Sequence, residues 1–113
     1  MHAPYMVTLD VTIVTQYVAT MIKTFRDRET ELIAGRCFSK RLPPDIQRKA
    51  RMKLDVLAAA TELDDLRVPP GNRLEPLRGS RLGQHSIRIN DQWRICFRWE
   101  EGAAWDVEIV DYH

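Results

Sequence analysis

The feature that most constrains this chain is a switch of hydrophobic period near Leu74, after which apolar residues recur at every second position. His85, Ile87 and Ile89 alternate with Ser86 and Arg88. Trp93, Ile95, Phe97 and Trp99 alternate with Arg94, Cys96 and Arg98, and Trp105, Val107 and Ile109 with Asp106, Glu108 and Val110. A period of two sends successive side chains to opposite faces of a strand, so these runs predict an antiparallel meander with one apolar face. Parity puts all three tryptophans on that face, which assigns them to the core. His85, at the start of a strand, is given a structural place.

Parity also fixes register. If Asn90-Asp91 were a two-residue turn, Ile87 would pair with Arg94 and mix apolar with charged residues on one face. An odd loop, Asn90-Asp91-Gln92, instead pairs Ile89 with Trp93 and Ile87 with Ile95. Arg88 then faces Arg94, and directly opposed like charges are unfavourable by up to roughly 1 kcal/mol, so something anionic is expected to relieve them. Carried through residues 100–104, the register sets Asp106 beside Arg98, Glu108 beside Cys96 and Val110 beside Arg94. Tyr112 continues the arginine face. Asp111 and His113 fall on the other face, and His113 reaches the arginines only where the chain end twists or frays. As an outward residue, Arg94 is expected to be removable without harm to the fold.

Ahead of the meander, residues 21–25 read as a short strand and residues 27–34 as a short helix stopped by Gly35. Leu42-Pro43-Pro44-Asp45 opens a longer helix, with proline in its first turn and Asp near its positive end. Ile46, Ala50, Leu54, Leu57 and Ala58 recur at helical spacing, so that face packs on the sheet while Arg48, Lys49, Arg51 and Lys53 meet solvent. Residues 64–72, with Pro69-Pro70-Gly71, read as a loop. Strand, helices and meander complete one domain over residues 21–113, and a chain of 113 residues has no room for a second. Residues 1–20 therefore read as an N-terminal extension of unreadable role, although residues 7–15 alternate like a strand. An upstream start codon would account for it.

Cys37 and Cys96 are far apart and lack any CxxC or Cys/His spacing, which suggests neither a disulfide framework nor a zinc site. No Lys or Arg precedes Lys23, and Asp10 and several threonines interrupt the early apolar stretch, so neither a signal peptide nor a membrane span is indicated. A soluble, cytoplasmic protein with reduced thiols is expected. The net charge of only +1 hides an uneven distribution. Between residues 36 and 53 seven basic residues meet the single acid Asp45. Between residues 67 and 98 the basic residues are all arginines, against Glu75 and Asp91. The first block is equally a solvated helix face or an RNA contact. The second points to phosphate, which the forked guanidinium suits best.

Three stretches carry a family resemblance: Asn72-Arg73-Leu74-Glu75-Pro76-Leu77-Arg78-Gly79; Ile87-Arg88-Ile89-Asn90-Asp91-Gln92-Trp93-Arg94-Ile95-Cys96-Phe97; and Asp106-Val107-Glu108-Ile109-Val110-Asp111-Tyr112-His113. In these the chain resembles the HigB-type toxins of the RelE superfamily, bacterial mRNA interferases of type II toxin–antitoxin systems, also described as plasmid-maintenance killer proteins. Met21-Ile22-Lys23-Thr24-Phe25 looks like the family's own start, so the resemblance covers residues 21–113. It implies an α+β fold with two N-terminal helices on a strongly curved, mainly antiparallel sheet. It also implies a ribosome-dependent endoribonuclease that cuts mRNA in the A site of the 70S ribosome, a helix-turn-helix antitoxin of HigA type as partner, and no cofactor. The family's catalytic C-terminal residues fall on Asp111, Tyr112 and His113, and its phosphate-binding sheet arginine on Arg94. One departure matters: Glu75 stands where many members have His, while Arg78 keeps the basic position that follows.

RNA is cut without metal when its own 2′-hydroxyl attacks the adjacent phosphate, leaving a 2′,3′-cyclic phosphate and a 5′-hydroxyl. This needs a base, an acid and positive charge around the crowded phosphate. Arg73, Arg78, Arg88 and Arg94 are candidates for the charge. His113 is the candidate proton donor to the leaving oxygen, since imidazole titrates near neutral pH, with Asp111 orienting it. Tyr112 either stacks on a base, helps proton transfer or covers the core as a strand-end residue. Glu75 is either a general base beside Arg78 or a solvated loop carboxylate. Two other readings of the fold stay open: a toxin that binds a protein such as gyrase, and a catalytically weak protein that binds antitoxin and regulates their operon.

Overall fold

A computed structural model of the protein describes residues 22–112; residues 1–21, with the strand-like stretch 7–15 read from the sequence, and His113 lie outside the described residues. The described residues form an α+β domain. Four antiparallel strands, β1 (Glu75–Pro76), β2 (Gln84–Arg88), β3 (Trp93–Glu100) and β4 (Ala103–Asp111), lie side by side in chain order. Two helices, α1 (Arg28–Ala34) and α2 (Pro44–Ala59), precede the sheet in the chain and pack on its apolar face. Ile33 of α1, Leu54 and Leu57 of α2, and Ile87, Ile95, Phe97 and Val107 of the sheet are each 2% exposed or less. Each such side chain contributes roughly 1.5–3 kcal/mol by leaving water.

The helices form where capping residues permit. Asp27 accepts the Thr30 backbone N–H at 2.7 Å and starts α1. At its other end Gly35 is the cap, but the left-handed residue is Arg36 (φ 66°). The Arg36 N–H returns to Ile33 O (3.0 Å) and the Cys37 N–H to Leu32 O (2.8 Å), which satisfies the last carbonyls. In α2 the five predicted apolar positions are buried, and so is Gln47, whose amide bonds the backbone of Ser39 and Leu42. Lys53 departs from expectation. It is half-buried, because its ammonium donates to the fully buried Asn72 of the loop beyond. That loop, residues 63–72, is wound into two short 3-10 turns around Leu66 and Asn72.

The first hairpin forms in the register that parity requires, with Ile87 opposite Ile95 and Arg88 opposite Arg94. Asn90 sets the turn by accepting the backbone N–H groups of Gln92 (2.9 Å) and Trp93 (2.8 Å). The next pairing begins as expected, Val110 on Arg94 and Glu108 on Cys96, but Arg98 then faces Trp105 and not Asp106. A bulge at Asp106, in the left-handed region at φ 53°, takes up the extra residue. Asp is among the residues that tolerate this conformation, and here its side chain accepts from the Thr24 hydroxyl of a distant segment at 3.2 Å.

The bulge reverses parity on its N-terminal side. Ala104, 1% exposed, takes the core position, and Trp105 turns to the arginine face, where its indole N–H donates to Glu100 O at 3.1 Å. Trp105 is therefore not a core residue, whereas Trp93 and Trp99 pack against the core. Asp106 still meets Arg98, by side chain and not by register, at 2.8 Å. On the outer edge of β4, Ile22 and Phe25 make isolated parallel bridges to Ala104 and Val107 in place of the expected regular strand.

Candidate active site on the sheet

On the face turned away from the helices, Glu75, Ser86, Cys96 and Glu108 form one row across the four strands, and Arg88, Arg94 and Val110 the next. An open cavity of about 340 Å³ sits over these rows, lined by Arg73, Glu75, Arg88, Asn90, Asp91, Arg94 and Tyr112. Five residues singled out in the sequence thus converge: Arg73, Glu75, Arg88, Arg94 and Tyr112.

The opposition of Arg88 and Arg94 is relieved from within the chain. Arg88 is paired with Asp91 of the turn, and Arg94 lies 3.7 Å from Glu75 Oε1. Glu75 is thus not a loop carboxylate. It belongs to β1, opposite Ser86, with its side chain 52% exposed in the cavity. Arg94 is not a removable surface group either. It is 9% exposed; its Nε donates to Ser86 Oγ at 2.7 Å, and its Nη2 donates to the Arg73 carbonyl at 2.6 Å. The Arg73 carbonyl is available because Arg73 closes its 3-10 turn in the left-handed region (φ 46°), directly after the buried Asn72. The Asn72 amide holds the loop by donating to Leu66 O (3.2 Å) and Val68 O (3.3 Å).

Tyr112 reaches the cavity because β4 stays in register to its end: its backbone N–H donates to Gln92 O at 2.6 Å. Burial, and then the neighbouring Cys96, push the Tyr112 hydroxyl above its ordinary pKa, so it holds its proton throughout the neutral range. Burial likewise raises the Cys96 thiol, which remains protonated and inert. Beyond Tyr112, Arg81 pairs with Glu108 at 3.1 Å.

Two candidates are placed elsewhere. Arg78 is exposed at the start of the 3-10 turn Gly79–Arg81 and is not among the cavity residues. Asp111 lies opposite Trp93, on the other face as parity requires, and accepts from Gln92 Nε2 at 3.1 Å. His113 is outside the described residues. His85 faces Phe97 and stacks on it at 6.2 Å, a structural position as expected.

The sequence reading missed Ser86, Asn90 and Asp91. For Ser86 the signal was present: parity sets it on the arginine face, one step along β2 from the residue opposite Arg94. Among the described residues no three His, Cys, Asp or Glu side chains cluster as metal ligands.

Comparison with known proteins supplies an independent line. The family described as RelE-like toxin of type II toxin-antitoxin system HigB matches residues 23–113. Toxin HigB-1 of Vibrio cholerae is 46% identical over 63 residues, covering 56% of this chain and 66% of that protein. Endoribonuclease HigB of Proteus vulgaris is 31% identical over 97 residues, covering 82% of this chain and 100% of that protein. An uncharacterized protein of Haemophilus influenzae is 35% identical over 64 residues, 57% of this chain and 63% of that protein. The chain thus matches just under two thirds of the length of the first and third of these relatives, and the whole of the second.

Proposed function

The chain belongs to the HigB-like family of RelE-like toxins of type II toxin–antitoxin systems, and from that premise we propose that it is an endoribonuclease whose active site is the arginine-lined cavity on the outer face of the sheet. The observation that carries this reading is the convergence of Arg73, Arg88 and Arg94 with one carboxylate, Glu75, and one phenol, Tyr112, around a single open cavity. Such a site concentrates positive charge where a phosphodiester would sit and leaves groups beside it for proton transfer.

In the proposed reaction Glu75 takes the proton of the RNA 2′-hydroxyl, and the 2′-oxygen attacks the adjacent phosphorus. The crowded phosphate gathers negative charge, which Arg94 and Arg88 neutralise, the latter by exchanging Asp91 for substrate. The bond to the 5′-oxygen breaks as His113 protonates the leaving group, giving a 2′,3′-cyclic phosphate and a 5′-hydroxyl. Glu75 Oε1 lies 3.7 Å from Arg94 Nη2, which sets a carboxylate oxygen beside the place where the phosphate would be held. Tyr112, protonated at neutral pH, supplies a flat face for a base or a hydrogen bond to the phosphate. Arg73 extends the phosphate contacts at the cavity rim, and Arg78 extends them outside it.

A type II toxin implies an antitoxin partner. We assign that partner to the helix-turn-helix HigA type and the substrate to mRNA in the A site of the 70S ribosome, which places the protein in the cytoplasm. No helix among the described residues is long and apolar enough to cross a membrane. The test is to incubate the full chain with mRNA on programmed ribosomes and to analyse the new ends. Cyclic phosphate and 5′-hydroxyl ends are expected, and they should be absent when residues 111–113 are removed. Arrest of translation with uncut mRNA would refute the nuclease and favour a protein-binding toxin.

A further inference from the structure

We propose that Ser86 is a positioning residue for the cleavage chemistry: its hydroxyl aims the Arg94 guanidinium at the reacting phosphate without neutralising its charge. The inference rests on reading the cavity as the RNA-cleaving site. Its structural basis is the pair of anchors on Arg94. Nε donates to Ser86 Oγ at 2.7 Å, and Nη2 donates to the Arg73 carbonyl at 2.6 Å and more distantly to Ser86 O at 3.4 Å. Among the described residues nothing bonds Nη1, so that end of the fork is the one left for a ligand.

The chemistry of the anchors matters as much as their geometry. Both are neutral acceptors. They hold the guanidinium in one orientation and add no negative charge of their own to that of Glu75. A carboxylate in their place would give the same direction and cancel the charge. Glu75, the carboxylate paired with Arg94, stays beyond hydrogen-bond distance, with Oε1 3.7 Å from Nη2. An arginine side chain has several free rotors, and without a fixed acceptor at Nε the guanidinium would leave this orientation. Ser86 prevents this from β2, where it is fully buried and opposite both Glu75 and Cys96. Its burial keeps water from replacing the hydroxyl as acceptor for Nε–H.

The test is a double-mutant cycle on the full chain: single-turnover RNA cleavage by wild type, Ser86→Ala, Arg94→Lys and the pair, with urea stability and RNA affinity measured on the same proteins. Loss of orientation by Ser86→Ala should slow cleavage about tenfold to a hundredfold. In the Arg94→Lys background, which lacks Nε–H and the fork, the same change should cost less than about threefold. RNA affinity should move little, because the charge remains. A purely structural serine would cost the same in both backgrounds. Ser86→Ala at the wild-type rate, or a loss that adds in full to that of Arg94→Lys, would overturn the positioning role and leave the nuclease reading intact. Undiminished cleavage by Arg94→Lys would overturn both. Should Arg94→Lys leave no measurable rate, the Arg94 Nε–H resonance decides. A sharp signal protected from exchange in wild type should broaden or vanish in Ser86→Ala, and its survival unchanged there would refute the proposal.

Discussion

Replacing Arg94 with alanine should damage stability as well as cleavage. Arg94 is 9% exposed and its guanidinium makes two short hydrogen bonds, to Ser86 Oγ and the Arg73 carbonyl. Hydrogen bonds from charged groups contribute about 1.5–3 kcal/mol each, and truncation leaves the buried Ser86 hydroxyl without its donor. Against this, like-charge opposition to Arg88 is relieved, worth up to roughly 1 kcal/mol. The balance is a loss of about 2–5 kcal/mol, which lowers a urea midpoint by about 1–3 M for a domain of this size. Tryptophan fluorescence reports the transition, since Trp93 and Trp99 border the core. The m-value should not change. A midpoint within about 0.3 M of wild type would show that the anchors contribute nothing net, and that Arg94 behaves as the outward residue its parity suggests.

Three further outcomes are expected. Deleting residues 1–20 should leave cleavage and the urea midpoint unchanged, because Ile22 and Phe25 already pair with β4; an insoluble or inactive product would refute this. Glu75→Gln should slow single-turnover cleavage by ~10²-fold or more, with Glu75→His recovering part of the rate, if Glu75 is the base; wild-type cleavage by Glu75→Gln would exclude it. The Arg98 hydrogen bond, outweighing burial and aided by Thr24, holds the Asp106 carboxyl below its ordinary range. A depressed pKa contributes stability that is complete above the unfolded carboxyl value near ~4 and is lost as pH falls through the folded one. Asp106→Asn should therefore flatten the acid limb of urea midpoint against pH below about 5 and lower the plateau above it. An unchanged acid limb would show the shift to be without consequence for folding.

How much of this was legible in the sequence follows from which contacts are periodic. The first hairpin was, since a one-residue slip would have driven Arg88 and Arg94 among Ile87, Ile89 and Ile95, a cost no local preference could offset. The core face of α2 was legible for the same reason at its own period. The bulge at Asp106 was not. Trp105 is large enough to read as core, Ala104 small enough to read as neutral, and the alternating pattern runs through both without a break. What decides the matter is non-local, namely the Thr24 hydroxyl and the Arg98 guanidinium waiting on other elements. The site divides along the same line. Register alone puts Arg88, Arg94 and Tyr112 on one face, because each lies within a run of period two or directly continues one. Glu75 and Arg73 come from a two-residue strand and a turn, too short to show any period, so nothing in their neighbours reveals that they close the cavity. Asn72 makes the connection. A fully buried asparagine must spend its amide on something. Here it spends it on the carbonyls of its own loop and on Lys53, which fixes the turn that delivers the Arg73 carbonyl to Arg94. The sheet thus sets where Arg94 starts, and a loop with no sequence period sets where its guanidinium ends. A change at Asn72, outside the cavity, is therefore expected to reach the chemistry through Arg73.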